Sequence, residues 1–128
     1  MKLITILAML FSVHTAFAKD MLTKEQAQIV IDEIDLICAD TWCSGDYNFR
    51  FLELDCNSNT NSCQLNYEMF IWEQEKVKLS LNCVIRPIKS MNDMVSKSKK
   101  FYALKEQFYA KVSNCLENNM EDYGPELK

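Results

Sequence analysis

This 128-residue chain has a single histidine, His14, and it has only two glycines and two prolines. His14 falls inside residues 1–18, which read as a segment removed on export. The mature chain would then carry no imidazole. That strikes out Ser–His and Cys–His couples, histidine general acid–base chemistry and mixed cysteine–histidine metal sites. The scarcity of breakers (Gly45, Gly124, Pro87 and Pro125) predicts long regular elements joined by short loops. Long apolar runs are also missing. The longest, Leu3–Phe11, is too short to span a bilayer, and no other stretch approaches the roughly 18 residues that spanning needs. A formal charge of −4 argues against general nucleic-acid binding, which depends on cations that neutralise phosphate.

What is present begins with a leader. Met1-Lys2 gives a positive start, Leu3–Phe11 an apolar core, and Ala16-Phe17-Ala18 the small-x-small pattern of a signal-peptidase site. Cleavage after Ala18 is expected, placing the protein in the periplasm or the medium. Residues 19–128 then form one small domain of roughly 110 residues, enough for one core but not two.

Six cysteines, all after residue 18, enter an oxidising compartment in even number. Neither Cys38-x4-Cys43 nor Cys56-x6-Cys63 has the C-x2-C spacing of zinc ribbons or thioredoxin-like sites, so structural disulfides are the preferred reading. No cofactor and no metal is expected from them. Six cysteines allow 15 pairings. Cys56 and Cys63 are the favoured pair, since they flank a short polar turn and share a strand face. Closing that loop stabilises by about 2.5 kcal/mol on a chain-entropy model. The other four are expected to tie the first helix and its loop (Cys38, Cys43) to the third strand (Cys83) and the last helix (Cys115).

The periodicities give an α+β fold. Thr23-Lys24-Glu25-Gln26 fits a capping box. Ala27, Val30, Ile31, Ile34, Ile37 and Cys38 follow at helical spacing, predicting a helix over about 23–39. Three alternating runs come next. Arg50, Leu52, Leu54 and Cys56 alternate with Phe49, Phe51, Glu53 and Asp55; Cys63 to Trp72 and Val77 to Ile85 alternate likewise. Short polar connections make them a three-stranded antiparallel meander. From Met91 to Met120 the pattern is helical again, as one long helix or a helix pair broken near Ser96–Lys100. The expected object is an N-terminal helix, a three-stranded antiparallel meander and a C-terminal helix or helix pair, stapled by disulfides.

Function is sought on the surface. The loop Thr41–Phe49 holds Trp42, Tyr47 and Phe49. Trp42 and Phe49 read as plugs of a small core, and Tyr47 as exposed. Ser44-Gly45-Asp46-Tyr47 resembles, over four residues, a Ser-Gly-x-x-Tyr loop of some periplasmic lysozyme inhibitors. Its tyrosine comes one residue early, and the helices do not match their all-β barrel, so no family is assigned. The outer sheet face is expected to carry Phe51, Phe70, Trp72 and Val84 among Glu53, Glu68, Lys78, Ser80 and Asn82, a patch of the kind that marks an interaction surface unless the C-terminal helix covers it. Trp42, Tyr47, Phe51, Phe70 and Trp72 are therefore the candidate binding residues. Asp40, Asp46 and Asn48 are weak calcium candidates, because the spacing is not that of an EF-hand loop. Asp40, Asp46, Glu53 and Asp55 leave paired-carboxylate chemistry formally open. Lys97, Lys99, Lys100, Lys105 and Lys111 read as a solvated helix face rather than a membrane contact. The leading expectation is an exported, non-enzymatic binding module acting through a protein partner, as an inhibitor or envelope accessory. A calcium- or small-ligand-binding domain comes second, and a small carboxylate-dependent hydrolase third.

Overall fold

The Thr23 hydroxyl accepts the Gln26 backbone N–H at 3.1 Å, and the Gln26 side chain accepts the Thr23 N–H at 3.0 Å. This reciprocal cap opens helix α1, Lys24–Ile37, in a computed structural model that describes residues 22–43, 47–71, 74, 76–86 and 99–127, with the backbone alone at 41–42 and 99–104. The helix widens at its far end into a π-helical turn, Cys38–Trp42. Strands β1 (Tyr47–Asn57), β2 (Ser62–Ile71) and β3 (Lys78–Ile85) follow, then helix α2 (Lys99–Tyr123) and a 3-10 turn, Gly124–Leu127. The sheet is an antiparallel meander of order β1-β2-β3, as the alternation predicts. Residues 87–98, including the expected helical positions Met91, Met94 and Val95, lie outside the described residues.

Pairing register fixes two faces. On the inner face Leu54, Leu65 and Cys83 line up across the sheet, as do Phe51, Tyr67 and Leu81, and Phe49, Met69 and Leu79. Val30, Ile31 and Ile34 of α1 and Cys38 of the π-helical turn, with Phe108, Val112 and Leu116 of α2, close the core over that face. The result is two layers, helices on one side of a sheet, which an antiparallel meander allows because its other face can remain polar.

All six cysteines are paired. The disulfide between Cys56 and Cys63 closes the β1–β2 hairpin across directly opposed residues. The other pairing differs from the expected one. Cys38 bonds Cys43, and Cys83 bonds Cys115, so no disulfide joins α1 to the sheet or to α2. The reason is the π-helical turn. Residues five apart on an α-helix point about 140° away from each other. The wider turn instead places Cys43 under Cys38, with the Cys43 N–H bonded to the Cys38 carbonyl at 2.8 Å and the Cα atoms 4.9 Å apart.

The helices are joined by polar contacts. Tyr109 donates to Glu33 at 2.6 Å, and Lys105 pairs with the same carboxylate at 2.7 Å. Burial, and then the Glu33 carboxylate, push the Tyr109 phenol far above its ordinary pKa, so it stays protonated and keeps donating. Lys111 donates to the Arg86 carbonyl at 2.6 Å. Lys105 and Lys111 are thus tied into the fold rather than lying on a merely solvated face.

Candidate functional site

The three aromatic candidates with described side chains, Tyr47, Phe51 and Phe70, do not share one surface. Phe51 faces the core, not the outside. The pairing of β1 with β2 shifts between Phe51 and Glu53, which leaves Leu52 as an extra residue. Such a β-bulge reverses the face of every residue on one side of it. Phe51 therefore shares the inner face with Phe49 and Tyr67, its ring centroid 6.3 Å from the first and 6.0 Å from the second. Tyr47 is half-buried against the core rather than exposed. It packs so closely on Gly124 that a Cβ there would meet its ring. Phe49 is buried, as expected of a plug. Phe70 is on the outer face but only 5 % exposed, with the Arg50 guanidinium 5.3 Å from its ring centroid. Trp42 closes the π-helical turn, where only the backbone is described, and Trp72 lies outside the described residues.

Beside Phe70 the outer face carries a charged row. Glu68 is opposite Arg50, 3.5 Å from its guanidinium, and is 2.6 Å from Lys78. The hydrogen bond from Lys78, helped by the charges of Lys78 and Arg50, holds the Glu68 carboxyl below the usual range, although burial acts the other way. A depressed folded-state pKa contributes stability above the unfolded value of about 4.3 and loses it as pH falls through the folded value. Glu68→Gln is therefore expected to flatten the loss of stability below about pH 4.3, read as the difference in urea midpoint between pH 7 and pH 3. Beyond this row the outer face is polar except for the exposed Val84, with Glu53, Asn66 and Asn82 in register and then Asp55, Gln64 and Val84.

The two described calcium candidates fall on different elements. Asp40 is exposed on the π-helical turn, Asn48 lies on β1, and Asp46 is outside the described residues. Among the described residues no group of three or more histidine, cysteine, aspartate or glutamate side chains is placed to hold a metal ion.

The sequence reading missed a cleft between α1 and β1. One part, of about 680 Å³, lies between Leu22–Lys24, Ala27, Gln28 and Ile31 of the helix end and Leu52–Asp55 of the strand. A second, of about 360 Å³, shares Gln28 and Ile31 and continues past Asp32 and Asp35 along Asn48–Phe51 to Phe70. Consecutive strand residues point to opposite faces. A space lined by four in a row must therefore run along the strand's edge. The bulge turns Leu52 out beside it, 52 % exposed. Asp32, Asp35, Glu53 and Asp55 outnumber the cations Lys24 and Arg50 along the rim. No composition signal marks this cleft, since Leu52 reads in sequence as one more alternating core residue.

The opposite edge is guarded. Asn119 of α2 donates to the outward carbonyl of Asn82 on β3 at 3.4 Å, and to the Tyr67 hydroxyl at 2.5 Å. Its amide also lies 3.8 Å from the Cys83 sulfur and 3.7 Å from that of Cys115. The two sheet edges thus differ, with α2 against β3 and a cleft beside β1. Searches against protein-family models, characterised proteins and solved structures find no match to this chain.

Proposed function

We propose that this is an exported protein-recognition module. Residues 1–18 act as a leader cleaved after Ala18, and the remaining domain binds a partner protein, as an inhibitor or an envelope accessory. Three disulfides support export, because such bonds persist in oxidising compartments. Among the described residues no helix is long and apolar enough to cross a membrane. The observation that carries the recognition reading is the exposed Leu52 beside an open cleft, an apolar side chain that the bulge turns outward at a strand edge. An edge of this kind is a template for pairing with another chain.

The test is capture from envelope and target-cell extracts on the immobilised, disulfide-intact protein. A defined protein is expected to be retained by the native domain and not by the reduced, unfolded chain. Retention of nothing beyond the unfolded control in either extract would overturn the reading. The intact mass of the exported protein should place its N-terminus at Lys19.

A further inference from the structure

We infer that the α1–β1 cleft takes an extended, basic segment of the partner as a fourth strand, added to the outer edge of β1. This rests on the recognition reading above and assigns it a place and a chemistry. Among the described residues, strand β1 pairs only with β2. The Cys56 and Cys63 Cα atoms are 4.0 Å apart, the close spacing of a non-hydrogen-bonded antiparallel pair. The backbone N–H and C=O of Cys56 therefore point away from β2. Alternation carries the same orientation to Leu54. On the far side of the bulge, the regular alternation of β2 gives it to Phe51 and Phe49, opposite Tyr67 and Met69. The same rule predicts an outward carbonyl at Asn82, opposite Asn66, and Asn119 does bond to it from outside the sheet. Among the described residues, no backbone hydrogen bond made outside the helices and strands involves Phe49, Phe51 or Leu54.

Phe49, Phe51 and Leu54 all line the cleft. A segment laid there gains main-chain hydrogen bonds from β1, and its alternate side chains face either Ile31 and Phe51 or the rim. The rim sets the charge. Asp32 and Asp35 stand on the helix wall, Glu53 and Asp55 on the strand wall. An acidic segment would meet like charge on both sides, a lysine- or arginine-rich one opposite charge. A second copy of this acidic chain is disfavoured on the same ground, and so is nucleic acid.

The probe is a seven-residue peptide of alternating lysine and valine, titrated into the isotope-labelled, disulfide-intact protein and followed by amide NMR and hydrogen exchange. Its controls are the glutamate–valine counterpart and the lysine peptide N-methylated at alternate residues. The lysine peptide is expected to shift and protect the amides of Phe49, Phe51 and Leu54. The glutamate peptide should bind at least about tenfold more weakly, the N-methylated one not at all. Asp32→Asn combined with Asp35→Asn, both exposed positions, should cut affinity about fivefold while leaving the sheet amides of the free protein unshifted. No protection on β1, or equal binding of the glutamate peptide, would overturn the inference. Capture separates the two levels. A partner retained equally by wild type and Leu52→Glu, with β1 unprotected, sinks the cleft and leaves recognition standing. No retained partner sinks recognition itself.

Discussion

Replacing Cys83 and Cys115 together by alanine is expected to cost about 3.5 kcal/mol of folding stability and to lower Tm by about 15 °C or more. Of the three bridges this one spans the longest stretch of chain, 32 residues, against 7 for Cys56–Cys63 and 5 for Cys38–Cys43. It is also the only one that joins a helix to the sheet. The entropy a cross-link removes from the unfolded chain grows with the logarithm of loop length, so the two short bridges should contribute only about 2–2.5 kcal/mol each. The double alanine variant also removes the sulfurs beside the Asn119 amide, the group that bonds Tyr67 and the edge of β3. Urea midpoints of the three double variants, measured side by side, check the order. Equal losses would mean that loop length is not what decides these bridges.

What the sequence made legible is local. The cap at Thr23 and Gln26 is written in four consecutive residues, and it forms with both bonds in place. The strands β2 and β3 alternate without interruption, and their register puts the predicted residues on each face. Cys56 and Cys63 face one another because a short polar turn leaves little other choice. The remaining cysteines required knowledge of a turn type. Sequence spacing alone does not tell an α-helical end from a π-helical one, and only the latter brings Cys38 and Cys43 together.

The candidate site was less legible, for a reason contained in one residue. Strand β1 obeys period-two alternation on both sides of Leu52, but the phase changes there. A pattern read straight through assigns Phe51 to the outside and Leu52 to the core, and the bulge reverses both. With the phase corrected, the expected patch of outer aromatics dissolves among the described residues, and the edge beside Leu52 takes its place. The acids of that edge, Asp32 and Asp35 on one element and Glu53 and Asp55 on another, are separated in sequence by the whole first loop. Only the packing of α1 along β1 brings them to one rim.

Phe70→Ala should cost about 3 kcal/mol, a loss suited to a core aromatic rather than to a surface anchor. By strand alternation Phe70 belongs to the outer face, where an exposed ring would be free to bind a partner, and its removal would leave the melting temperature nearly unchanged. The structure instead leaves the residue 5 % exposed, with Asn48 and Lys78 opposite it on the two neighbouring strands and Arg50 over its ring. Truncation removes that buried apolar area and the cation–π contact, worth about 0.5–1 kcal/mol or more when shielded from water. It also frees the guanidinium that helps hold the Glu68 carboxyl low, so the variant should lose less further stability between pH 7 and pH 3 than wild type does. Phe70→Leu keeps most of the volume and should recover roughly half of the loss. Urea unfolding of both variants at pH 7 and pH 3 measures all three effects. A Phe70→Ala protein as stable as wild type would return the ring to the surface and restore it as a binding anchor.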